Sequence, residues 1–264
     1  MSFSCSELSF EQMLDLAVRL GYDGIEPRIA ANHAHGVEIA ASPAIRRDTR
    51  RQAADAGVEI CCIASSCRFA TPALSEEHMP DAMAAIDLAG DVGAPMLRVF
   101  GGRLESRKDR PDAIEHFAGC LGRLADQAER RQVTVCVETH DAWCEPDDVA
   151  AVMQRVDHPA IAVNWDIMHP VLTAGRTIEE AFETLRPWIR HVHVHDGVKD
   201  ENGKLILEPI GDGDVDHRRA LELLHGSGYD GHISGEWIEW ESADVHLPRE
   251  LERLNAIEAG FGKL

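Results

Sequence analysis

The sequence predicts an α/β fold, a single (β/α)8 barrel that spans residues 1–264, and three observations support this prediction. Eight short apolar runs alternate with stretches of helical periodicity, a pattern typical of parallel strands joined by crossover helices. The chain has 264 residues, and barrels of this kind commonly contain about 250. Several runs, such as Thr134–Val137, are almost continuously apolar, as expected for strands that are buried on both faces.

The predicted strands follow one another along the whole chain. They are Phe3–Cys5, Gly24–Arg28, Val58–Ala64, Met96–Phe100, Thr134–Thr139, Ile161–Asp166, Ile189–His195 and His232–Trp237. The first strand is the least regular, because only a few residues separate it from a helix that begins at Ser9. Eight repeated units favour a closed barrel over an open sheet.

The intervening helices have recognisable ends. Two segments have the spacing of a capping box, Ser9 with Gln12 and Thr177 with Glu180. Other ends are marked by Pro43, Pro111 and Pro146 at helix starts, and by Gly57, Gly93 and Gly226 at helix ends. No linker or low-complexity segment interrupts this pattern, which indicates one domain.

Charge and cysteine content exclude several classes of protein. The sequence has 26 Lys and Arg residues but 46 Asp and Glu residues. The resulting net charge of −20 disfavours a nucleic-acid partner held through its phosphates. No apolar run approaches about 18 residues, and the first residues lack a secretory signal, so we expect no membrane partner. Seven cysteines at irregular spacing predict reduced thiols in a cytoplasmic protein.

Carboxylates or imidazoles end four consecutive predicted strands. They are Glu138, Asp166, a histidine of His191-Val-His193-Val-His195, and Glu236. Active sites of such barrels form at these strand ends, and three carboxylates buried there are costly unless a cation neutralises them. The sequence therefore predicts a divalent metal site.

The three histidines of the seventh strand face one way, because strand side chains alternate between faces. His191 is the deepest and His195 lies nearest the loop. Spacing alone does not decide which one binds metal. Our interpretation takes His193 as the ligand and His195 as a substrate contact.

Three oxygen donors and one nitrogen donor suit Mn²⁺, Mg²⁺ or Co²⁺ better than a structural Zn²⁺. An octahedral ion with four protein ligands keeps two positions open, and a vicinal hydroxy-ketone can fill both. We expect one divalent metal ion, Mn²⁺ first, with Mg²⁺, Co²⁺ and Zn²⁺ as alternatives.

Several motifs occur in a characteristic order: Glu138-Thr-His, Asn164-Trp-Asp-Ile-Met-His169, His191-Val-His-Val-His-Asp, Gly211-Asp-Gly-Asp-Val-Asp and the closing Gly228-Tyr-Asp-Gly with Glu236. From Glu7 to about Trp240 the chain resembles the xylose-isomerase-like TIM-barrel superfamily of sugar isomerases and epimerases. The resemblance to its ketose 3-epimerase branch implies a metal held by Glu138, Asp166, His193 and Glu236.

The same resemblance implies that the two glutamates act as an acid/base pair on opposite faces of the substrate. It also implies that His169 contacts substrate oxygens. The branch places an arginine six residues past the metal histidine, where this sequence has Lys199. We therefore expect the far end of the substrate to be bound differently.

The predicted reaction is isomerisation or epimerisation of a keto-sugar or sugar acid through an enediolate that the metal stabilises. Glu138 and Glu236 would transfer the proton. The expected substrate contacts are His169, His140, His195, Arg98 and Lys199. Arg98 could instead form a structural ion pair with a neighbouring acid. Glu26 and Arg28 are open to the same two interpretations, a substrate contact or a structural ion pair.

Other functions stay open at this point. A metal-dependent dehydratase or lyase, acting on a keto-sugar, keto-glycoside or keto-inositol, would share the first proton abstraction and then expel a leaving group. A DNA-repair endonuclease for abasic sites has similar motifs but needs further histidines. A barrel that binds a sugar or a protein without catalysis would be favoured if any of the four ligands were replaced. Barrels of this kind often form dimers or tetramers, so we expect a homo-oligomer with a small carbohydrate as substrate.

Overall fold

The computed structural model describes residues 1–104 and 106–261. The described strands are β1 (Gly24–Ile25), β2 (Glu59–Ile60), β3 (Ile63–Arg68), β4 (Met96–Phe100), β5 (Thr134–Glu138), β6 (Ile161–Asp166), β7 (Ile189–Val194), β8 (Asp196–Lys199), β9 (Leu205–Glu208) and β10 (Ile233–Gly235).

Helices alternate with these strands along the chain. They are α1 (Phe10–Leu20), α2 (Pro43–Ala56), α3 (Pro72–Val92), α4 (Arg110–Arg131), α5 (Pro146–Val156), α6 (Met168–Leu172), α7 (Ile178–Leu185), α8 (His217–Gly226) and α9 (Ala243–Glu258). Short 3₁₀ turns cover Ser2–Cys5, Arg107–Asp109 and Asp141–Trp143. Among the described helices, none combines the length and apolar character needed to cross a membrane.

The central element is a curled parallel sheet with the strand order β10-β7-β6-β5-β4-β3. The short strands β1 and β2 form a separate parallel pair, and a single bridge between Arg28 and Ala64 links this pair to β3. Strands β8 and β9 form an antiparallel hairpin. The predicted α/β fold is confirmed, but in the described residues the main sheet has six strands rather than a closed ring of eight.

The prediction of a first strand at Phe3–Cys5 is wrong, because Ser2–Cys5 form a 3₁₀ turn. Too few residues separate Cys5 from the Ser9 cap of α1, so the chain must already turn there. The turn still bridges its neighbours. The amide of Ser2 donates to the carbonyl of Glu26 at 2.9 Å, and the nitrogen of Met1 donates to the carbonyl of Gly235 at 2.9 Å.

Other strand boundaries also differ from the prediction. The run Val58–Ala64 divides into β2 and β3, and β3 continues to Arg68. The predicted seventh strand ends at Val194, and the β8–β9 hairpin follows. The hairpin turn is fixed by Asp200, whose carboxylate accepts the amides of Asn202 and Lys204.

Most predicted helix ends are confirmed. Both capping boxes are present, and Gly57 and Gly93 end their helices in the left-handed conformation. Gly226 does not, because α8 includes it and Gly228 takes the positive φ of 77° two residues later. The description of residues 1–264 as one domain stays a prediction.

Candidate metal centre

Four buried side chains converge at the carboxyl ends of neighbouring parallel strands. Glu138 ends β5, Asp166 ends β6, His193 lies near the end of β7, and Glu236 follows β10. Strand register pairs Asp166 with His193 and His193 with Ser234, so the side chains lie at similar height. One ligand atom from each of the four residues lies within 4.8 Å of all the others. The structure thus brings together the four residues that we expected to bind metal, here termed the four-residue cluster.

The donor atoms of this cluster fit a divalent cation. Within the described chain, both carboxylate oxygens of Glu138, Oδ2 of Asp166 and Nδ1 of His193 are buried and form no hydrogen bond of good geometry, although ionic groups lie close to them. Unpaired buried polar atoms are costly, and a buried carboxylate is especially so. A cation would supply the missing partner, and oxygen donors with one imidazole suit Mn²⁺ or Mg²⁺.

Arg98 is the cation that the chain itself supplies to the cluster. Its side chain is 1% exposed, with Nε 3.1 Å from Oε2 of Glu138 and Nη2 3.7 Å from Oε1 of Glu236. Its Nη1 donates to the carbonyl of Ser65 at 3.0 Å. These contacts match the structural ion pair that the sequence left open for Arg98. One guanidinium does not balance the carboxylates of the cluster.

Nδ1 of His193 lies between the two glutamates, 3.3 Å from Oε1 of Glu138 and 3.4 Å from Oε2 of Glu236. Burial acts to lower the pKa of His193, but the charges of Glu26 and Glu138 outweigh it and raise the pKa well above its usual value. Burial opposes the ionisation of Glu236, yet its contact with His193 brings the pKa of Glu236 below the usual range. A proton on Nδ1 therefore takes the place that a cation would take.

Asp166 has one oxygen committed to the backbone and one directed into the cluster. Its Oδ1 accepts the amides of Met168 and His169 at 2.9 and 3.1 Å, which fixes the start of α6. Its Oδ2 lies 2.8 Å from Nε2 of His195. Burial acts to raise the pKa of Asp166, but the charge of His195 and its contact with Oδ2 outweigh burial and bring the pKa below the usual range, so the carboxylate is ionised.

Three imidazoles form a row beside the cluster, here termed the histidine row: His140, His169 and His195. The ring centroids are 4.5 Å apart for His140 and His169, and 5.3 Å apart for His169 and His195. Burial acts to lower the pKa of His140, but its contact with Asp141 and the charge of Glu138 raise the pKa to about 9. Burial lowers the pKa of His169. The row therefore offers a protonated and a neutral imidazole at neutral pH.

Lys199 is not part of this arrangement. It is exposed at the end of β8, and no described residue of the four-residue cluster contacts it. Sequence reasoning missed Asn164, which is fully buried and whose amide has no partner within the described chain. The signal was present, because Asn164 lies two residues before Asp166 on the same strand and side chains at that spacing share a face.

Two further groups of potential ligands adjoin the cluster: Asp166 with His169 and His195, and Glu26 with Cys61 and His191. In the second group, burial raises the pKa of the Cys61 thiol to about 12. The thiol also donates to the carbonyl of Ile25 at 3.3 Å. Cys61 is thus a neutral thiol and a poor metal ligand.

The family described as "Xylose isomerase-like TIM barrel" matches residues 14–257. The chain therefore belongs to the xylose isomerase-like TIM barrel family, as the order of its motifs indicated.

Curated relatives include both epimerases and a dehydratase. L-ribulose-5-phosphate 3-epimerase UlaE from Salmonella typhi is 27% identical over 266 residues, which cover 95% of this chain and 91% of the relative. The 3-dehydroshikimate dehydratase from Bacillus anthracis is 23% identical over 196 residues, which cover 73% of this chain and 68% of the relative. These relatives support an enzyme of the same superfamily.

Solved structures share the fold. The probable 3-DHS dehydratase AsbF from Bacillus anthracis superposes with a TM-score of 0.78 at 21% identity and covers 96% of each chain. A xylose isomerase-like TIM barrel protein from Mycobacterium smegmatis in complex with magnesium superposes with a TM-score of 0.71 at 22% identity, covering 95% of this chain and 88% of that one.

Proposed function

We propose that the protein is a divalent-metal-dependent isomerase or epimerase that moves a proton alpha to the carbonyl of a keto-sugar or sugar acid. The observation that carries this proposal is the placement of two carboxylates around one point. Glu138 and Glu236 lie 3.3 and 3.4 Å from the same nitrogen of His193. They come from β5 and from the residue after β10, which flank β6 and β7 in the sheet order.

The four-residue cluster would hold the cation, with Mn²⁺ as the first choice and Mg²⁺, Co²⁺ or Zn²⁺ as alternatives. When bound, such a cation polarises a carbonyl group and stabilises negative charge that develops beside it. The buried oxygens of Glu138 and Asp166, which form no hydrogen bond of good geometry in the described chain, support a cation at this place.

Each remaining side chain has a role that follows from its contacts. One of the two glutamates removes the proton, and for epimerisation the other returns it on the opposite face. Arg98 contacts both carboxylates, and its positive charge contributes to the lowered pKa of Glu236. His140, whose pKa is raised, would donate to a substrate oxygen, and His169, whose pKa is lowered, would accept from a substrate hydroxyl.

A dehydratase is the second candidate, and the dehydratase among the relatives favours it. It would use the same proton abstraction and then expel a β-leaving group instead of receiving a proton on carbon. Protonated His140 would be the donor to a departing hydroxyl.

Incubation of the metal-loaded enzyme with a panel of keto-sugars in D₂O, followed by NMR, tests the proposal. We expect deuterium at the carbon alpha to the carbonyl in an isomerised product, and no reaction in chelator-treated protein. An enone together with a released leaving group would instead identify the dehydratase. Isomerisation at full rate in metal-free protein would contradict both candidates.

A further inference from the structure

Glu26 lies on the far side of His193 from the four-residue cluster. It follows β1 directly and is 1% exposed. Its Oε1 and Oε2 lie 3.1 and 3.2 Å from Nε2 of His193. Nδ1 of the same ring faces Glu138 and Glu236. One imidazole thus stands between a buried carboxylate and the candidate metal ligands.

We propose that Glu26 is a positioning residue that selects Nδ1 of His193 as the metal-binding atom. By accepting a hydrogen bond from Nε2, Glu26 holds the proton of neutral His193 on that nitrogen and leaves the lone pair of Nδ1 directed at the cluster. A carboxylate on the outer nitrogen of a histidine ligand also increases the basicity of the ring. This inference rests on the proposed function, because it requires a metal ion at the four-residue cluster.

Glu26 is itself held from two directions. Nε2 of His191 lies 2.9 Å from Oε2 of Glu26, so both carboxylate oxygens contact an imidazole of β7. The backbone carbonyl of Glu26 accepts the amide of Ser2, which belongs to the 3₁₀ turn that replaces the predicted first strand. Two separate elements therefore fix the carboxylate behind His193.

The contacts of Glu26 distinguish this role from a separate metal site. Glu26 spends both oxygens on histidine nitrogens, and the neighbouring Cys61 is a thiol that donates to a backbone carbonyl. A cation at Glu26, Cys61 and His191 would have to displace all of these contacts. The geometry therefore favours support of His193 over a further metal site.

The test compares Glu26→Gln with Cys61→Ser, a control at a buried neighbour whose thiol donates to the backbone carbonyl of Ile25. Metal-free protein is titrated with Mn²⁺ by calorimetry, and the Co²⁺-loaded forms are compared by visible absorption. Glutamine carries no negative charge and replaces one acceptor oxygen by a donor nitrogen, so it holds a proton on Nε2 of His193 less strongly than the carboxylate does. We expect Mn²⁺ affinity to fall about 10–100-fold in Glu26→Gln, with a changed Co²⁺ spectrum. Cys61→Ser should match the wild type in both.

Nitrogen NMR of histidine adds a measurement that a merely structural role would not move. In the metal-free wild type, at a pH above the folded pKa of His193, we expect the proton of the neutral ring on Nε2, and in Glu26→Gln a loss of that preference. A folded Glu26→Gln variant with wild-type Mn²⁺ affinity and an unchanged Co²⁺ spectrum would overturn the proposal. If Glu26→Gln does not fold, His191→Leu decides, because leucine has no donor and releases the second contact of Glu26. Its affinity should fall, and wild-type affinity would count against the proposal.

The experiment separates this inference from the proposed function. If the wild type binds Mn²⁺ at the cluster but transforms no keto-sugar, the proposed reaction fails and the role of Glu26 is still measured. If the wild type binds no metal at the cluster, both are overturned.

Discussion

Replacement of Asp166 by Asn, or of His193 by Ala, should empty the metal site while the chain stays folded. His193→Ala removes one ligand and Asp166→Asn replaces another by a weaker, uncharged oxygen, in a cluster whose donor atoms lie within 4.8 Å of one another. Loss of a residue that only supports a metal ligand lowers metal affinity by about 10–100-fold. We expect these changes to a ligand itself to lower Mn²⁺ affinity by at least as much, and turnover to fall with it. Elemental analysis after dialysis measures the bound metal, and the thermal midpoint of the metal-free protein reports folding.

Two variants serve as controls for this result. Glu250→Gln alters a fully buried carboxylate that contacts Arg249 and the amide of Ile210, outside the cluster. His195→Ala removes the imidazole 2.8 Å from Oδ2 of Asp166 but leaves the four ligands in place. Both should retain metal, and His195→Ala should mainly affect substrate handling. If His195→Ala empties the site and His193→Ala does not, the ligand on β7 has been misassigned.

Glu138→Gln and Glu236→Gln should stop the reaction at different steps. If the two carboxylates work on opposite faces, the variant without the abstracting residue should neither turn over nor exchange the alpha hydrogen with D₂O. The variant without the returning residue should still exchange that hydrogen but form no epimer, because abstraction and return on the first face remain possible. We expect turnover to fall about 10²–10⁴-fold in each.

The assignment of the two roles should reverse when the opposite epimer is supplied, and this reversal is the internal control. Bound metal must be measured in both variants, since an amide oxygen is a weaker ligand than a carboxylate. If both variants keep their metal and neither exchanges the alpha hydrogen, the two-face mechanism loses its support. The dehydratase, or a proton donor such as His140, then becomes the better explanation.

The sequence predicted the residues of the four-residue cluster because each lies at or beside the end of a predicted strand. Parallel strands deliver their last side chains to one edge, so strand ends alone bring Glu138, Asp166 and Glu236 together. The alternation of His191, His193 and His195 gave their common face but not their depth. The partners of the three histidines show their depth in the structure. His191 contacts Glu26, His193 belongs to the four-residue cluster, and His195 contacts Asp166.

Other features could not be read from local pattern. The contact of Glu26 with His193 joins residues 167 positions apart, and no spacing rule reports such a pair. The first strand was predicted from three residues, and the turn into α1 overrides so weak a pattern. Lys199 was predicted as a substrate contact from the resemblance. It lies exposed on the β8–β9 hairpin, which no local pattern predicted, and its contact with substrate stays a prediction. The dimer or tetramer, the cytoplasmic location and the absence of a nucleic-acid partner stay predictions.

The central claim is that the four-residue cluster binds a divalent cation through Nδ1 of His193, and a titration with Mn²⁺ at several pH values tests it most directly. The raised pKa of His193 means that the metal-free protein holds a proton there at neutral pH. The proton adds its full stability to the metal-free fold at pH values below the pKa that His193 has in the unfolded chain. This added stability is lost as the pH rises through the higher pKa of His193 in the folded state.

Because Mn²⁺ and this proton compete for one nitrogen, binding should release a proton, and affinity should rise by about tenfold per pH unit while His193 is protonated. Calorimetry in buffers of different ionisation enthalpy measures both quantities. We predict one Mn²⁺ per chain, with proton release, and no such binding in Asp166→Asn. Absence of Mn²⁺ binding would contradict the claim that the four-residue cluster holds the cation. Binding that releases no proton and that persists in Asp166→Asn would contradict it as well.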